Sequence, residues 1–340
     1  MKNKKVLNIG LIGCGVIGLR RINNLPNNFR LIGCADPKIH FKKNFKKNRK
    51  LVLTTNWKKL VNLENLDAVI IATTHQLHTQ IILECVQKKI HVFVEKPGGI
   101  SAIKTNKIIS TLKKKQKNLS IRVGFNHRYH PAFIKAKELI KNKLIGKILY
   151  IRAIYGHGGR LNYEKEWRFK KKISGGGELI DKGSHLIDLA RFFLGDLKII
   201  SSKLKNFFWK IKLEDNCFLN LENKNGSNAF LHASCTEWKN KFIFEIFGQF
   251  GKIEINGLGK SYGEERLIFY KMLKKMGKPI KKEFRFSKKD YSWSRELNEF
   301  YIDIIKKRVS SPGLTDIYKN LKIINKIYKI NDNNKKSSQN

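Results

Sequence analysis

The sequence predicts an α/β protein: a doubly wound parallel sheet at the N-terminus, then an α+β domain built on an open, mostly antiparallel sheet. Three observations carry this. Short apolar runs alternate with helical patterns between Val6 and Gly124, as βαβ units require. The first of these runs ends on a glycine-rich hexapeptide that opens a helix. Beyond Lys198 the pattern changes to strand-type runs separated by turn signals such as Asn225-Gly226 and Gly248–Gly251, which reads as antiparallel pairing. The expected divisions are 1–124, 125–330 and a disordered tail over 331–340.

In the first division, Val6–Ile12 reads as a strand, Val16–Leu25 as a helix and Phe29–Ala35 as a second strand. Ala68–Ala72 and Ile90–Val94 follow as buried-type strands, with a helix between them that ends near Lys89. A helix over Ile103–Lys115 and a strand over Leu119–Gly124 complete the unit.

The hexapeptide is Gly13-Cys14-Gly15-Val16-Ile17-Gly18. Strand, G-x-G-x-x-G and helix in succession form the dinucleotide-binding (Rossmann) fingerprint. Gly13 makes the tight turn, Gly15 lets the backbone approach a pyrophosphate, and Gly18 lets helix and strand pack closely. Val16 and Ile17 begin the helix whose N-terminus faces the phosphates. Asp36 closes the second strand eighteen residues after Gly18. A carboxylate there accepts bonds from an adenosine ribose and repels a 2′-phosphate, so NAD is expected ahead of NADP, a preference that Lys38 weakens. Thr73, Thr74 and His78 after one strand, and Glu95-Lys96-Pro97 after the next, also lie at strand C-termini, where open parallel sheets bind ligands.

In the second division a helix over Ala132–Lys141 leads to a long strand, Lys147–Tyr155. Further strands are read at Ile199–Trp209, Cys217–Leu221, Ala229–Thr236, Phe242–Phe247 and Lys252–Ile255, and closing helices at Ser294–Lys307 and Leu314–Tyr328. The stretch Gly175–Gly195 has three glycines, then apolar residues at three- and four-residue spacing, then a glycine stop. It reads as one helix that places Asp181 and His185 on a common face. A carboxylate and an imidazole so placed can present a general base, the imidazole's ordinary pKa of about 6.5 suiting neutral pH. The pair could also be solvated, and no third metal ligand is evident, so no metal is expected.

The chain resembles the Gfo/Idh/MocA oxidoreductases, on Gly13–Gly18, His78, Glu95-Lys96-Pro97 and the Asp181/His185 helix. That resemblance implies a catalytic group of Lys96, Asp181 and His185, and a Lys96–Pro97 bond that is often cis. It implies hydride transfer between a sugar carbinol carbon and nicotinamide: His185 takes the hydroxyl proton, Lys96 stabilises the alkoxide, and Asp181 positions one of them. It also implies dimers or tetramers paired through the far face of the second sheet. The family's usual A-T-P-N is Ala72-Thr73-Thr74-His75 here, a departure that bears on cofactor packing.

Substrate contacts are expected from Arg160, Tyr163, Trp167 and Arg168 in the polar segment Gly156–Gly177, and from His127 and Arg128. The substrate expected is a sugar, sugar-nucleotide or cyclitol, in carbohydrate or surface-polysaccharide metabolism, and which sugar stays open. A guanidinium grips carboxylate or phosphate bidentately, which would suit an anionic sugar or nucleotide-sugar. Two rival readings keep the fold. In one, NAD oxidises and re-reduces the sugar while a bond is eliminated or hydrolysed. In the other, the protein is a non-catalytic dinucleotide-sensing regulator.

Composition limits the partners. The chain has 340 residues with a formal net charge of +43, yet the excess is mostly lysine and scattered. A nucleic-acid reader concentrates its basic residues on a motif, so no nucleic-acid partner is expected. No apolar run reaches membrane-span length, and no membrane partner is expected. Five cysteines lack paired spacing, which suits free thiols in a reducing compartment. Met1–Cys14 mimics a lipoprotein signal, but cleavage before Cys14 would discard Gly13, so the expectation is a cytoplasmic protein.

Overall fold

The computed structural model describes residues 5–38, 43, 45, 50–115, 118–286 and 289–337. Most of the basic clusters Lys42–Lys50 and Lys113–Lys117 lies outside the described residues or their side chains. The chain forms two compact units, one of residues 1–125 with 293–321 and one of 126–292 with 322–340.

The first unit begins β1 (Leu7–Ile12), α1 (Val16–Asn23), β2 (Phe29–Ala35), β3 (Val52–Thr54), α2 (Trp57–Leu60) and β4 (Ala68–Ile71). It continues with α3 (His75–Gln87), β5 (His91–Glu95), α4 (Ala102–Lys115) and β6 (Ile121–Gly124). The six strands lie in the order β3-β2-β1-β4-β5-β6, and every pairing is parallel. A parallel sheet covered on both faces needs continuous apolar strands rather than alternating ones. β4, read AVII, and β6 are buried at every position. The order reverses at β1, so the ends of β1 and β4 flank the switch point where such sheets bind ligands.

The second unit contains α5 (Pro131–Lys141), β7 (Ile148–Gly156), α6 (Lys171–Ser174) and α7 (Ser184–Leu194). Seven strands follow: β8 (Leu197–Lys205), β9 (Asn216–Asn223), β10 (Asn228–Ser234), β11 (Lys241–Gly248), β12 (Gly251–Asn256), β13 (Glu265–Lys271) and β14 (Ile280–Phe286). The sheet order is β14-β13-β12-β11-β7-β10-β9-β8. All its pairings are antiparallel except β10 with β7. Strands alternate on this sheet, as β12 shows with Gly251, Ile253 and Ile255 buried and their neighbours half-buried, because only one face packs on helices.

The structure departs from expectation at five points. The strand expected over Ile199–Trp209 ends at Lys205, because the Asp215 carboxylate holds the N–H groups of Phe207, Phe208 and Trp209 in a loop. Strand β3 and helix α2 were not foreseen, nor were β13 and β14 singled out. The expected single helix over the Asp181/His185 stretch is a π-helical segment, Leu179–Gly183, followed by α7. Residues 331–337 of the expected tail are helical, since α9 runs Leu314–Ser337, and 338–340 lie outside the described residues. Finally, the closing helices are not wholly in the second unit, since α8 (Ser292–Ile305) and the start of α9 belong with the first. Phe300 of α8 stacks on Phe29 at 6.0 Å and meets Phe93 edge-on at 5.8 Å, so α8 completes the core under β1, β2 and β5.

Candidate functional site

Within the first unit the fingerprint has the expected division of labour. Gly13 has φ +94°, and a Cβ there would lie 2.6 Å from the Ala72 carbonyl. A Cβ on Gly18 would lie 2.0 Å from the Gly13 carbonyl oxygen. Both glycines are required by the protein's own packing. Gly15 is different: a Cβ there meets nothing within 4 Å. It caps α1 at the N-terminus, no side chain caps the helix, and the first turn carries no acid. Exposed N–H groups with open space above them are what a pyrophosphate needs, so the loop fits a dinucleotide.

Asp36 is tied to this loop. Its Oδ2 accepts from the Cys14 N–H at 2.8 Å and its Oδ1 from the Lys38 N–H at 2.9 Å. Cys14 itself faces inward, and its hydrogen bond to Cys34, with burial, pushes the thiol up. Across the switch point, the Thr73 carbonyl lies 3.1 Å from Nε2 of fully buried His78. Burial lowers the His78 pKa to about 4, so the ring is neutral and donates to Thr73. Thr74 occupies the cap position of α3. His78 therefore shapes the loop after β4 from below.

Glu95-Lys96-Pro97 closes β5, and the Lys96–Pro97 bond is cis. Glu95 is buried and receives Arg21 Nε at 2.6 Å, while Arg21 Nη1 donates to Glu296 at 2.7 Å. The Arg21 guanidinium lies between the rings of Phe93 and Trp293, 4.4 and 4.3 Å from their centroids. Burial pushes the Glu296 carboxyl up to about 7, against the pull of Arg21. Glu95 is thus an anchor for the turn that carries Lys96. Arg21 and Glu296 could not be assigned from sequence, because an arginine in a helix and a glutamate far along the chain carry no shared pattern.

In the second unit the residues around Asp181 and His185 form one polar cluster. A Cβ on Gly176 would lie 1.8 Å from the Tyr328 hydroxyl, and one on Gly177 2.2 Å from the Glu214 carbonyl, so the glycines admit the chain here. Glu214 Oε1 takes the N–H groups of Gly177 and Leu179 and the Tyr328 hydroxyl, which pins the start of the π-helical segment. Such segments recur at functional positions because they re-aim side chains. His185 stacks on His127, with centroids 3.9 Å apart and planes 15° apart, and meets Tyr155 edge-on at 6.0 Å. Tyr155 is held well above the usual phenol range by burial, by Tyr262 and by the charge of Asp181. Tyr155 therefore neighbours both Asp181 and His185.

Asp181 lies 3.6 Å from Arg168 Nε and 3.9 Å from Lys182 Nζ. Lys182 is buried and pairs with buried Glu178 at 2.7 Å. Burial alone would lower the lysine, but Glu178 and Asp181 outweigh it and raise it. Glu178 also accepts from the Tyr163 hydroxyl at 3.2 Å, and His157 Nε2 lies 3.3 Å from that hydroxyl. Burial, then the Lys182 charge, lowers His157 to about 3. Glu178, Lys182, His157, Tyr155 and Tyr262 belong to this cluster and were not assigned from sequence. Only the i, i+4 spacing of Glu178 and Lys182 could have signalled the pair.

Other expected substrate residues are engaged elsewhere. Arg128 makes a buried bidentate pair with Asp188, at 2.8 and 2.5 Å. Arg160 and Arg168 both hold Glu166, at 2.5 and 2.9 Å. Tyr163 is buried rather than offered as a covering ring, and Trp167 lies half-buried with Arg168 over it at 5.1 Å. Glu166 thus lies between Arg160 and Arg168, and Asp181 faces Arg168 at its Nε.

The strand order and the glycine loop define a dinucleotide-binding Rossmann unit. Residues 7–123 match the oxidoreductase family of NAD-binding Rossmann fold, and residues 133–254 match the GFO/IDH/MocA C-terminal domain. The chain belongs to the Gfo/Idh/MocA oxidoreductase family. It is 31% identical over 156 residues to levoglucosan dehydrogenase of Pseudarthrobacter phenanthrenivorans, covering 45% of this chain and 40% of that protein. It is 29% identical over 195 residues to myo-inositol 2-dehydrogenase of Thermotoga maritima, covering 56% and 55%. The chain thus spans about half the length of these curated relatives. A levoglucosan dehydrogenase structure in complex with NADH and levoglucosan shares the fold, with TM-score 0.83 at 22% identity over 96% of this chain and 97% of that one.

Proposed function

We propose that the protein is an NAD-dependent dehydrogenase of a neutral sugar or cyclitol. The observation that carries the reading is Gly15, open where the protein's packing makes no demand, in a chain whose curated relatives are named as sugar and cyclitol dehydrogenases. The nicotinamide supplies the hydride acceptor. His185 takes the substrate hydroxyl proton, and its stack on His127 with the edge-on contact to Tyr155 holds its ring plane. Lys96 stabilises the alkoxide as the C–H bond weakens. Asp181 holds the electrostatic balance between Lys182 and Arg168. NAD is favoured over NADP because Asp36 places a carboxylate beside the glycine loop. Among the sugars and cyclitols expected from sequence a neutral one is favoured, because Glu166 and Asp181 already pair with Arg160 and Arg168.

We also propose a homo-oligomer in a reducing, cytoplasmic setting. Five free, buried cysteines support the compartment. The exposed sheet face, with Ile200, Phe218 and Phe230 outward and a shallow cavity of about 900 Å³ over β8–β10, supports pairing there.

A panel of neutral and anionic sugars and cyclitols with NAD and NADP, read by absorbance of the reduced cofactor, tests the proposal. Turnover is expected with a neutral polyol and NAD, and Lys96→Ala should lose about 10²-fold or more in kcat while still binding NAD. Product without accumulated NADH would favour transient oxidation instead. Dinucleotide binding with no turnover of any sugar would favour the sensor.

A further inference from the structure

Four large apolar side chains of the second unit stand in solvent on neighbouring loops: Phe207 is 64% exposed, Phe208 57%, Trp238 64% and Leu161 92%. Phe208 meets Trp238 edge-on at 4.7 Å and Trp209 at 5.3 Å. A Cβ on Gly158 would touch the Trp238 backbone at 2.8 Å, and one on Gly159 the Trp209 ring at 2.1 Å. Leu161 follows Gly159 by two residues in the chain.

The exposure is built in. The fully buried Asp215 carboxylate accepts from the N–H groups of Phe207, Phe208 and Trp209 at 2.8 to 3.1 Å. The Trp209 indole N–H donates to the Cys235 carbonyl at 2.9 Å, and Asn206 ties the loop to the Ile211 and Leu213 carbonyls. Trp238 has φ +54°, a conformation that bulky residues rarely adopt. The backbone is fixed by internal bonds while its rings stay in water. Clustered apolar exposure of this kind marks an interaction surface.

We propose that this loop cluster docks on a bilayer surface rich in anionic lipid. Exposed Lys210 and Lys212 punctuate the aromatic loop, and exposed Lys239 follows Trp238. Aromatic and aliphatic tips flanked by lysines suit the headgroup boundary, where apolar burial and attraction to anionic lipid add. Charge complementarity favours this occupant, because the exposed lysines Lys210, Lys212 and Lys239 lie among the rings and meet anionic headgroups there. It is favoured over single-stranded nucleic acid because the rings meet edge-on, at 83° and 89°, and present no flat platform for bases. The expectation of no membrane partner came from the lack of a spanning run, and no helix among the described residues is long and apolar enough to cross a membrane. Surface docking needs no span.

The test is co-sedimentation of the full chain with vesicles of phosphatidylcholine alone and of phosphatidylcholine mixed with phosphatidylglycerol, at about 0.15 M salt. Binding to the mixed vesicles and a blue shift of tryptophan emission are expected. The triple substitution Phe207→Ser, Phe208→Ser, Trp238→Ser should weaken binding by about tenfold or more. Lys210→Glu with Lys212→Glu should weaken it too, while Lys281→Glu with Lys282→Glu, on β14, should not. Trp238→Phe should bind but lose most of the blue shift. Unchanged melting temperatures show that the variants fold. Triple-variant binding equal to wild type would overturn the proposal, since diffuse lysine attraction would then suffice. It is equally overturned if the triple substitution instead abolishes self-association or binding to polyuridylate, with vesicles bound by neither protein.

Discussion

At the residue scale, the glycines of the fingerprint separate what the fold needs from what a ligand needs. Gly13→Ala puts a methyl 2.6 Å from the Ala72 carbonyl at a positive φ, so it should destabilise the first unit by about 2 kcal/mol or more. Gly15→Ala meets nothing, so its melting curve should overlay wild type within about 0.5 kcal/mol, while NAD affinity falls by about tenfold or more. Urea melts with calorimetric NAD titrations check both. Equal stability loss for the two, or unchanged NAD affinity for Gly15→Ala, would contradict the assignment. The fingerprint was legible because its context is local, with strand, turn and helix in sequence. The type of Arg128 suggests a ligand contact, and nothing in its neighbourhood signals the pair that its guanidinium makes with Asp188, sixty residues away. A single sequence gives no sign of such distant pairings.

At the element scale, the π-helical segment and α7 set the second unit's chemistry. Several strand limits were legible, β2 to the residue, since apolar pattern and turn signals specify them, while the apolar run into Trp209 hid the end of β8 at Lys205. The π turn was not, because apolar spacing over Leu179–Leu194 suits an α-helix and the departure is imposed by Glu214 from another strand boundary. α8 shows the same limit: its apolar face says that it packs, not that it packs on Phe29 and Phe93. The buried Glu178–Lys182 pair belongs to this scale. Lys182→Met leaves a buried carboxylate without its cation and should cost about 3–5 kcal/mol. The double variant Glu178→Leu, Lys182→Met should recover most of that loss, since neither charge then needs a partner. Urea denaturation of the two single variants and the double variant reads the coupling directly. Additive losses would show that the pair does not act as a unit.

At the scale of the whole molecule, two units share a chain whose charge is unbalanced but whose buried charges are paired at several points, Arg21 with Glu95 and Glu296, Arg122 with Asp303, and Arg128 with Asp188. Acid should weaken the fold through its buried imidazoles. His78 and His157 have folded pKa values of about 4 and 3, below the ordinary 6.5. The unfolded chain therefore binds protons first, and the stability these groups confer is full above pH 6.5 and lost as pH falls towards 4 and 3. For His78 the loss at pH 5 is about 2 kcal/mol. His78→Gln, which keeps a donor for the Thr73 carbonyl, should shrink the gap between urea midpoints at pH 7 and pH 5. An unchanged gap would place the acid sensitivity elsewhere.

The central claim is that a C–H hydrogen of a neutral polyol passes as hydride to NAD. The measurement that tests it most directly uses levoglucosan and myo-inositol deuterated at their carbinol carbons, with NAD and purified protein, and mass analysis of the reduced dinucleotide. Deuterium in NADH and a primary isotope effect on kcat are expected for an accepted substrate, with labelled NADH forming about 10²-fold more slowly in Lys96→Ala. Consumption of the polyol with deuterium retained in a sugar product and no labelled NADH would contradict it.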